Sequence, residues 1–558
     1  FSQDLLSIPG VPSVSGLSNV LYTQGYTSSA VLLTVSSGLS LLSLLLLLLA
    51  LYIQNLPNLS NYLAKKLVTL QAHQSSILLG LSSLSWSGHL YHVSLPTSII
   101  LTTSPEESLL LTPYDILSKG PNLLSDISPH LGLSPQTGSL TPITLVYHHV
   151  SLGLAVIFGS LLYFSTRRSN LRLTLSPSPA TQHLTLSASL TTLGLLSLFL
   201  SYQTSLGSSP YAYLSTSYES VLSISVHHIW IGAAGILGGA SHLSIYYVKM
   251  ISLQTIESHR DILLGHLSWI TIFLGLHSFG LYIHNDTMYS LGLPYSSISD
   301  PSYHLSPLFF NYILSPSHTP ISTLNYKISN LLPELSTADY LSVHIHAFTI
   351  HVTVLILLKG LLYSRTSRII PDKHNLGFAY ACDGPGRGGT CQVSPWDHVY
   401  LGTFWSYNAS SILVFTLCWS TSSSIWGTLD AEVTHLTNGD FTTSLSINNW
   451  LRDYLWTQSA QSIQSYGSAS TSGFGYLFLG SHFVWSLSLM FLFSGRGYWQ
   501  ELIESLVWSH VKLGIVPTIS PRALSITHGR LVGLTHYVSS SILVTWSYLL
   551  PSILVLST

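Results

Sequence analysis

DKHNLGFAYACDGPGRGGTCQVSPW, residues 372–396, is a polar, glycine-rich stretch between two apolar segments, and it holds two of the chain's three cysteines, Cys382 and Cys391. Thiolates are the usual ligands of iron–sulfur clusters, and an irregular glycine backbone can aim N–H groups at cluster sulfurs. Arg387 adds a fixed positive charge beside them. A disulfide or a zinc half-site also fits two cysteines. Because two thiolates cannot complete a four-ligand cluster, the cluster reading requires a second chain that offers the same loop.

Outward from this loop the chain is apolar. Of its 558 residues only 7% are charged, against about 25% in soluble domains, and the mean hydropathy is +0.43. These values predict an all-α integral membrane protein. A formal net charge of −2 points to neither nucleic acid nor an acidic substrate. Three cysteines argue against a disulfide-stapled secreted fold, and FSQDLLSIPG lacks the basic-then-apolar pattern of a signal peptide.

Apolar segments of about 20 residues, enough to cross the ~30 Å hydrocarbon layer, are expected near 28–53, 71–95, 144–165, 180–203, 219–247, 264–285, 338–363, 397–420, 472–494 and 529–556. Basic residues supply an independent check on these ten spans. Odd-numbered connections contain or adjoin Lys65, Lys66, Arg167, Arg168, Arg172, Lys249, Arg260, Lys359, Arg365, Arg368, Lys373, Arg387, Arg496, Lys512, Arg522 and Arg530, whereas even-numbered ones hold Lys119, Lys327 and Arg452. This asymmetry places the glycine-rich loop on the cytoplasm-equivalent face and both termini on the other. The long connections at 96–143, 286–337 and 421–471 read as loops or short surface helices on that second face.

There are 26 histidines against 19 Lys plus Arg. Imidazole is costly in a bilayer without a partner, and in its neutral form it is the commonest metal ligand. Intervals of three and seven put His89 with His92, His277 with His284, and His344 with His351 on shared helix faces. A lone helix histidine is usually a packed or hydrogen-bonded residue, but that explanation weakens as the count grows. Bis-histidine haem would want a few facing pairs at matched depths; histidines scattered over nearly every span suit many single-ligand magnesium pigments.

The string CDGPGRGGTC resembles the cluster-binding loop of the two large photosystem I core subunits, the PsaA/PsaB family. Its continuation QVSPWDHVYLGTFWSYN is nearer the PsaA than the PsaB branch. The similarity recurs in SPYAYLSTSYESVLSISVHHIWIG, in HSFGLYIHNDTMYSLG, in HIHAFTIHVTVLILLKG, and in almost the whole tail from LRDYLWTQSAQSIQSYG onward.

The resemblance implies antenna-type helices over 1–363, a stromal cluster loop over 364–396 and electron-transfer helices over 397–558. Cys382 and Cys391 would bind a [4Fe–4S] cluster shared with the sister subunit. In YLFLGSHFVWSLSLMFLFSGRGYWQELIES, His482 matches the axial ligand of a special-pair chlorophyll and Met490 that of an acceptor chlorophyll. A thioether is a soft, weak donor to hard magnesium. Trp499 matches an indole that stacks on phylloquinone, Ser494 and Arg496 line that region, and Leu524 matches a backbone donor to a quinone carbonyl. Tyr537, Thr545 and Tyr407 match hydrogen-bond donors to the special pair. Asn408 matches the residue holding a water ligand of an accessory chlorophyll. Antenna chlorophyll is implied at His73, His89, His92, His148, His149, His183, His227, His228, His242, His266, His277, His284, His344, His346, His351 and His536.

The implied function is light-driven electron transfer from a lumenal plastocyanin or cytochrome c6 to stromal ferredoxin across a thylakoid membrane, with a plastid location. Chlorophyll a and its epimer, phylloquinone, β-carotene or other carotenoids, and lipids are the implied cofactors. The implied partners are a PsaB-type sister, a PsaC-type iron–sulfur subunit, small membrane subunits and light-harvesting proteins. A chlorophyll antenna without charge separation is a rival that leaves the cluster loop and the tail idle; a haem-based quinone oxidoreductase and a transporter are others. The sequence departs from the family at Gln74, Leu161, Gln203 and Cys418, where histidines are expected, so fewer pigments or other ligands are expected there; Cys418 reads as an inert buried thiol. The family's first membrane helix has no counterpart, so that Phe1 is expected on the lumenal face, opposite Cys382.

Overall fold

A computed structural model describes residues 28–54, 60–102, 142–168, 179–205, 218–250, 254–291, 337–424 and 472–557, with a few isolated positions near 56 and 293–298. The expectations for Phe1, Arg172, Lys119, Lys327, Arg452 and most of the three long connections lie outside these residues, as do those for the side chains of Lys65, His92, Arg167, Arg168, Gln203 and Cys418. Among the described residues there is no strand.

Every expected span coincides with one helix. They are α1 (Ser28–Gln54), α2 (Asn61–Thr102), α3 (Pro142–Arg168), α4 (Pro179–Ser205), α5 (Tyr218–Lys249), α7 (Arg260–Ser290), α8 (Thr337–Leu362), α9 (Pro395–Ser424), α10 (Ser472–Phe493) and α12 (Ile526–Ser557). A single turn, α6 (Gln254–Glu257), and the polar α11 (Arg496–Lys512) complete the set. Helix α2 starts ahead of its apolar run because Ser60 caps it, accepting from Leu63 N–H at 3.3 Å. By length and composition alone, Thr181–Ser201, Ser225–Lys249, Arg260–Met288 and Val343–Leu362 qualify as crossings. Helix α11 leaves α10 at 99°.

The described chain forms two compact units. In the first, α1 packs on α2 through reciprocal serine bonds: Ser36 Oγ donates to Ser82 O (2.9 Å) and Ser82 Oγ to Ser36 O (2.7 Å), and Ser43 and Ser75 repeat the exchange at 2.9 Å each. Helix α3 joins α2 where a Cβ on Gly80 would stand 2.8 Å from Gly153 O. Lipid gives no hydrophobic drive for helices to associate, so small residues and interhelical hydrogen bonds hold them.

In the second unit, α4 and α5 cross the same way. A Cβ on Gly235 would come within 2.8 Å of Gly194 Cα, and Ser187 Oγ donates to Gly239 O at 2.6 Å. The core of this unit gathers Leu264, Val352, Leu355, Ile356, Leu362, Tyr363, Leu401, Tyr498 and Leu502 from α7, α8, α9 and α11.

Beside that core sits a buried charge cluster. Glu501 of α11 receives Lys359 at 3.2 Å and Lys373 at 2.6 Å, and all three side chains are fully buried. Lys359 also donates to His398 Nε2 at 2.7 Å, because His398 Nδ1–H is committed to Ser394 O at 2.7 Å. Tyr498 offers Lys359 its ring face at 4.4 Å. Burial pushes the Glu501 carboxyl up, but Lys373 and then Lys359 outweigh it and leave it below the ordinary range. A second layer surrounds this one: Arg368 pairs with Asp261 at 2.9 Å, Ser505 donates to Asp261 at 2.9 Å, and Arg368 N–H reaches Glu504 at 3.3 Å.

Removing one partner of a buried ion pair strands the other, at a cost of about 3–5 kcal/mol. Glu501→Gln should therefore lower the thermal stability of the detergent-solubilised complex by that order, while Lys512→Gln, at the exposed end of α11, leaves it unchanged. Glu504 is different, since burial and then Glu501 push its carboxyl up to about 7. The folded protein thus holds this proton up to about pH 7, whereas the unfolded chain releases it near the ordinary carboxylate value. Stability should fall as pH rises through that window and level off above it, and Glu504→Gln should flatten the profile; an unchanged slope in thermal melts would contradict the assignment.

Candidate functional site

The loop from Asp372 to Trp396 begins with a single turn, Lys373–Leu376, pinned from below by the Lys373–Glu501 pair. It then folds back so that Trp396 N–H donates to Phe378 O at 3.1 Å. Its tip is organised by Thr390, whose Oγ1 donates to Gly384 O (2.6 Å) and accepts from Asp383 N–H (2.8 Å). Arg387 adopts φ +58°, unusual for a residue with a Cβ, and its guanidinium pairs with the Asp383 carboxylate. Gly388 and Gly389 have φ +84° and +118°, and a Cβ on either would collide with the Arg496 side chain or Ile526. These two positions demand glycine for both space and backbone.

Cys382 is exposed, Cys391 is half-buried, and both are free thiols. Gly384 N–H points at Cys382 Sγ from 3.4 Å. Among the described residues no three His, Cys, Asp or Glu side chains converge as a metal site. Two free thiols, one with a backbone N–H aimed at it, are a donor set that fits part of a thiolate-ligated cluster.

Next to the thiols lies a cavity of about 550 Å³, lined by Cys382, Cys391, Met490, Ser494, Arg496, Trp499, Ile503, Arg522 and Leu524, among others. Its walls come from the loop, the end of α10, the start of α11 and the segment before α12. The indole of Trp499 donates to Ser494 Oγ at 2.8 Å, and Ser494 in turn donates to Met490 O. The indole is thereby fixed in the wall of a cavity that mixes apolar and polar groups, a lining that suits a flat ring system carrying polar atoms. Arg496 spans two walls, donating to Gly389 O (3.2 Å) and to Gln500 Oε1 (3.3 Å). Burial and then the nearby Arg522 lower the pKa of its guanidinium.

The histidines divide by what holds their rings. His266, His277, His351, His482 and His536 each direct Nδ1 to the backbone carbonyl four residues earlier, at 2.6–2.9 Å. This fixes Nδ1 as the donor and leaves the Nε2 lone pair outward, the tautomer a metal needs. On those five the side chains fit a magnesium pigment. Elsewhere the rings engage protein: His73 Nδ1 meets Ser160 Oγ at 2.7 Å, His284 Nδ1 meets Asn285 Oδ1 at 3.2 Å, and His183 and His242 share an Nδ1–Nδ1 contact of 2.9 Å. His89 stacks on Trp86 at 5.1 Å, and His148 meets His149 edge to face at 5.0 Å. His227 is exposed, and His228, His344 and His346 are half-buried.

His482 and Met490 are both exposed on α10, and eight residues at ~1.5 Å each separate them by about 12 Å along the axis. Tyr537 lies 6.1 Å, ring to ring, from Trp485 of α10. Thr545 Oγ1 donates to Ser541 O at 2.9 Å. Tyr407 packs on Trp230 at 5.3 Å and is exposed, as is Asn408. Of the departures from the family, Gln74 and Leu161 are exposed on α2 and α3. The residues that sequence reasoning missed are Glu501, His398 and Gln500, which hold the site from behind. The available signal was a carboxylate and a histidine in a chain with so few charges, each of which needs a partner.

The family described as "Photosystem I psaA/psaB protein" matches residues 7–170, 175–331 and 319–551. "Photosystem I P700 chlorophyll a apoprotein A1" of Cyanidioschyzon merolae (strain NIES-3377 / 10D) is 43% identical over 553 residues, covering 86% of this chain and 74% of the relative. The proteins of the same name from Chlorella vulgaris and Nostoc punctiforme are each 44% identical, covering 86% and 85% of this chain and 73% and 72% of the relatives. With the family matched over most of its length and relatives this close, the chain belongs to the photosystem I psaA/psaB family.

Proposed function

We propose that this protein is the PsaA-type half of a photosystem I reaction-centre core, working with a PsaB-type sister to move an electron across a thylakoid membrane after light absorption. The observation that carries the reading is a single cavity whose lining includes both loop cysteines together with Met490, Ser494, Trp499 and Leu524. An antenna protein has no use for such a convergence. Bound pigments, quinone and cluster supply the light absorption and one-electron chemistry. The chain's own residues hold and orient them.

In this reading the Cys382 and Cys391 thiolates bind one half of a shared [4Fe–4S] cluster. The Gly384 N–H and the Arg387 and Arg496 guanidiniums favour the added negative charge of the reduced site. Trp499 and the Leu524 N–H hold phylloquinone in the cavity. His482 ligates a special-pair chlorophyll, with Tyr407, Tyr537 and Thr545 as hydrogen-bond donors to the pair. Met490 ligates an acceptor chlorophyll, and Asn408 holds a water for an accessory one. The remaining named histidines serve antenna chlorophyll. The glycine-rich loop faces the stroma, where a PsaC-type subunit and then ferredoxin accept the electron; plastocyanin or cytochrome c6 delivers it on the lumenal side.

Cys382→Ser should abolish the electron paramagnetic resonance signal of the shared cluster in isolated complexes. A Cys382–Cys391 disulfide, or four cluster ligands from this chain alone, would sink the assignment. Met490→His exchanges a weak donor to magnesium for a strong one, so forward electron transfer on this branch should slow in ultrafast absorption measurements. Unchanged kinetics there would remove Met490 from the pathway.

A further inference from the structure

Leu524, the residue read above as the backbone donor to the quinone, lies in a short segment with two fixed points. On its C-terminal side Ser525 caps α12, its Oγ accepting from His528 N–H at 3.2 Å and its carbonyl from Gly529 N–H at 2.9 Å. On its N-terminal side Ala523 N–H donates to the side-chain carbonyl of Gln500 at 3.0 Å. Upstream the connection is loose. The next hydrogen bond in that direction among the described residues is Ile515 N–H to His510 O at 3.1 Å, and Val516 is 88% exposed.

Gln500 is itself immobile. It is buried, sits on α11 beside Trp499, and its Oε1 uses a second lone pair to accept from Arg496 Nη2 at 3.3 Å. The same guanidinium holds Gly389 O of the glycine-rich loop at 3.2 Å. One amide oxygen thus joins the segment bearing Leu524 to the arginine that grips the cysteine loop. The helix carrying it is anchored at the next residue by the Glu501 pairs with Lys359 and Lys373.

We propose that Gln500 is a positioning residue for the quinone site: its side-chain carbonyl fixes Ala523, and through the next peptide the Leu524 N–H, in register with the Trp499 wall. The proposal rests on the reading of the cavity as a quinone site. No direct contact between Gln500 and the quinone is involved. Losing the acceptor would free the Ala523–Leu524 peptides to move relative to the indole, and the hydrogen bond to the ring would lengthen or swing away while the rest of the cavity remained.

The test uses Gln500→Met, near in shape but without the amide oxygen, and Gln500→Glu, which keeps an acceptor for both Ala523 N–H and Arg496. Both are made in the full complex. Two quantities are read: amide hydrogen exchange of the peptide spanning 521–526, and the proton hyperfine couplings of the photoreduced quinone, which report its hydrogen bond. Gln500→Met should speed exchange by on the order of tenfold, the worth of one lost hydrogen bond, and change the couplings with the quinone still bound. Gln500→Glu should restore both. Wild-type couplings in Gln500→Met would overturn the proposal. A native complex that contains no quinone, or quinone couplings that ignore Trp499→Leu, would instead overturn the quinone reading of the cavity. Should Gln500→Met block accumulation of the complex, Gln500→Asn, which keeps the amide but shortens its reach, is judged by the same two readouts.

Discussion

The Glu501 carboxylate, buried between Lys359 and Lys373, with His398 accepting from Lys359, is the contact on which the functional end of the molecule depends. Charged groups out of water are tolerable only when each finds a partner, and here one carboxylate shared by two lysines, with His398 and the Tyr498 ring beside Lys359, draws those partners from α8, the start of the glycine-rich loop, α9 and α11. Desolvation makes such a cluster a weak source of net stability but a strong source of register, because any slip leaves a bare charge. The cavity is lined by the glycine-rich loop, by α11, by the end of α10 that leads into α11, and by the start of α12 with the segment before it, which α11 holds through Gln500 and Ala523. The side of α11 that faces the lysines therefore fixes where its other side, with Arg496 and Trp499, meets the cysteines.

The helices are assembled on a different principle. Serine oxygens exchange hydrogen bonds with facing backbone, and glycines allow backbones to approach until a single methyl would collide. This fits a chain with few charges, rich in serine and leucine, whose surroundings offer no hydrophobic gain on association. Leucines such as Leu41, Leu44, Leu45 and Leu48 on α1 stay exposed, the expected state of a surface facing lipid or pigment. His266, His277, His351, His482 and His536, which tie Nδ1 to the carbonyl four residues earlier, as His259, His398 and His510 also do, add a third device, since that bond fixes the Nε2 lone pair without help from another helix.

Sequence alone located the long helices of the described residues, because about 20 apolar residues between polar connections have one use, but not their limits, since α2 runs from Asn61 to Thr102, past both ends of its apolar stretch. It also marked the cysteine loop, whose glycines and two thiols form a local pattern legible without tertiary contacts. The role of Met490 or Trp499 was legible only through family resemblance, since a methionine or an indole in an apolar helix is ordinarily packing or an interfacial anchor. What only the tertiary structure decided is convergence. Arg387 and Arg496 are 109 positions apart in the chain, Lys359 and Glu501 are 142 apart, and no local periodicity encodes which of them meet. The Lys359–Glu501 pairing is enforced by the cost of leaving either charge unpaired out of water, a cost that exists only once the helices have closed around it.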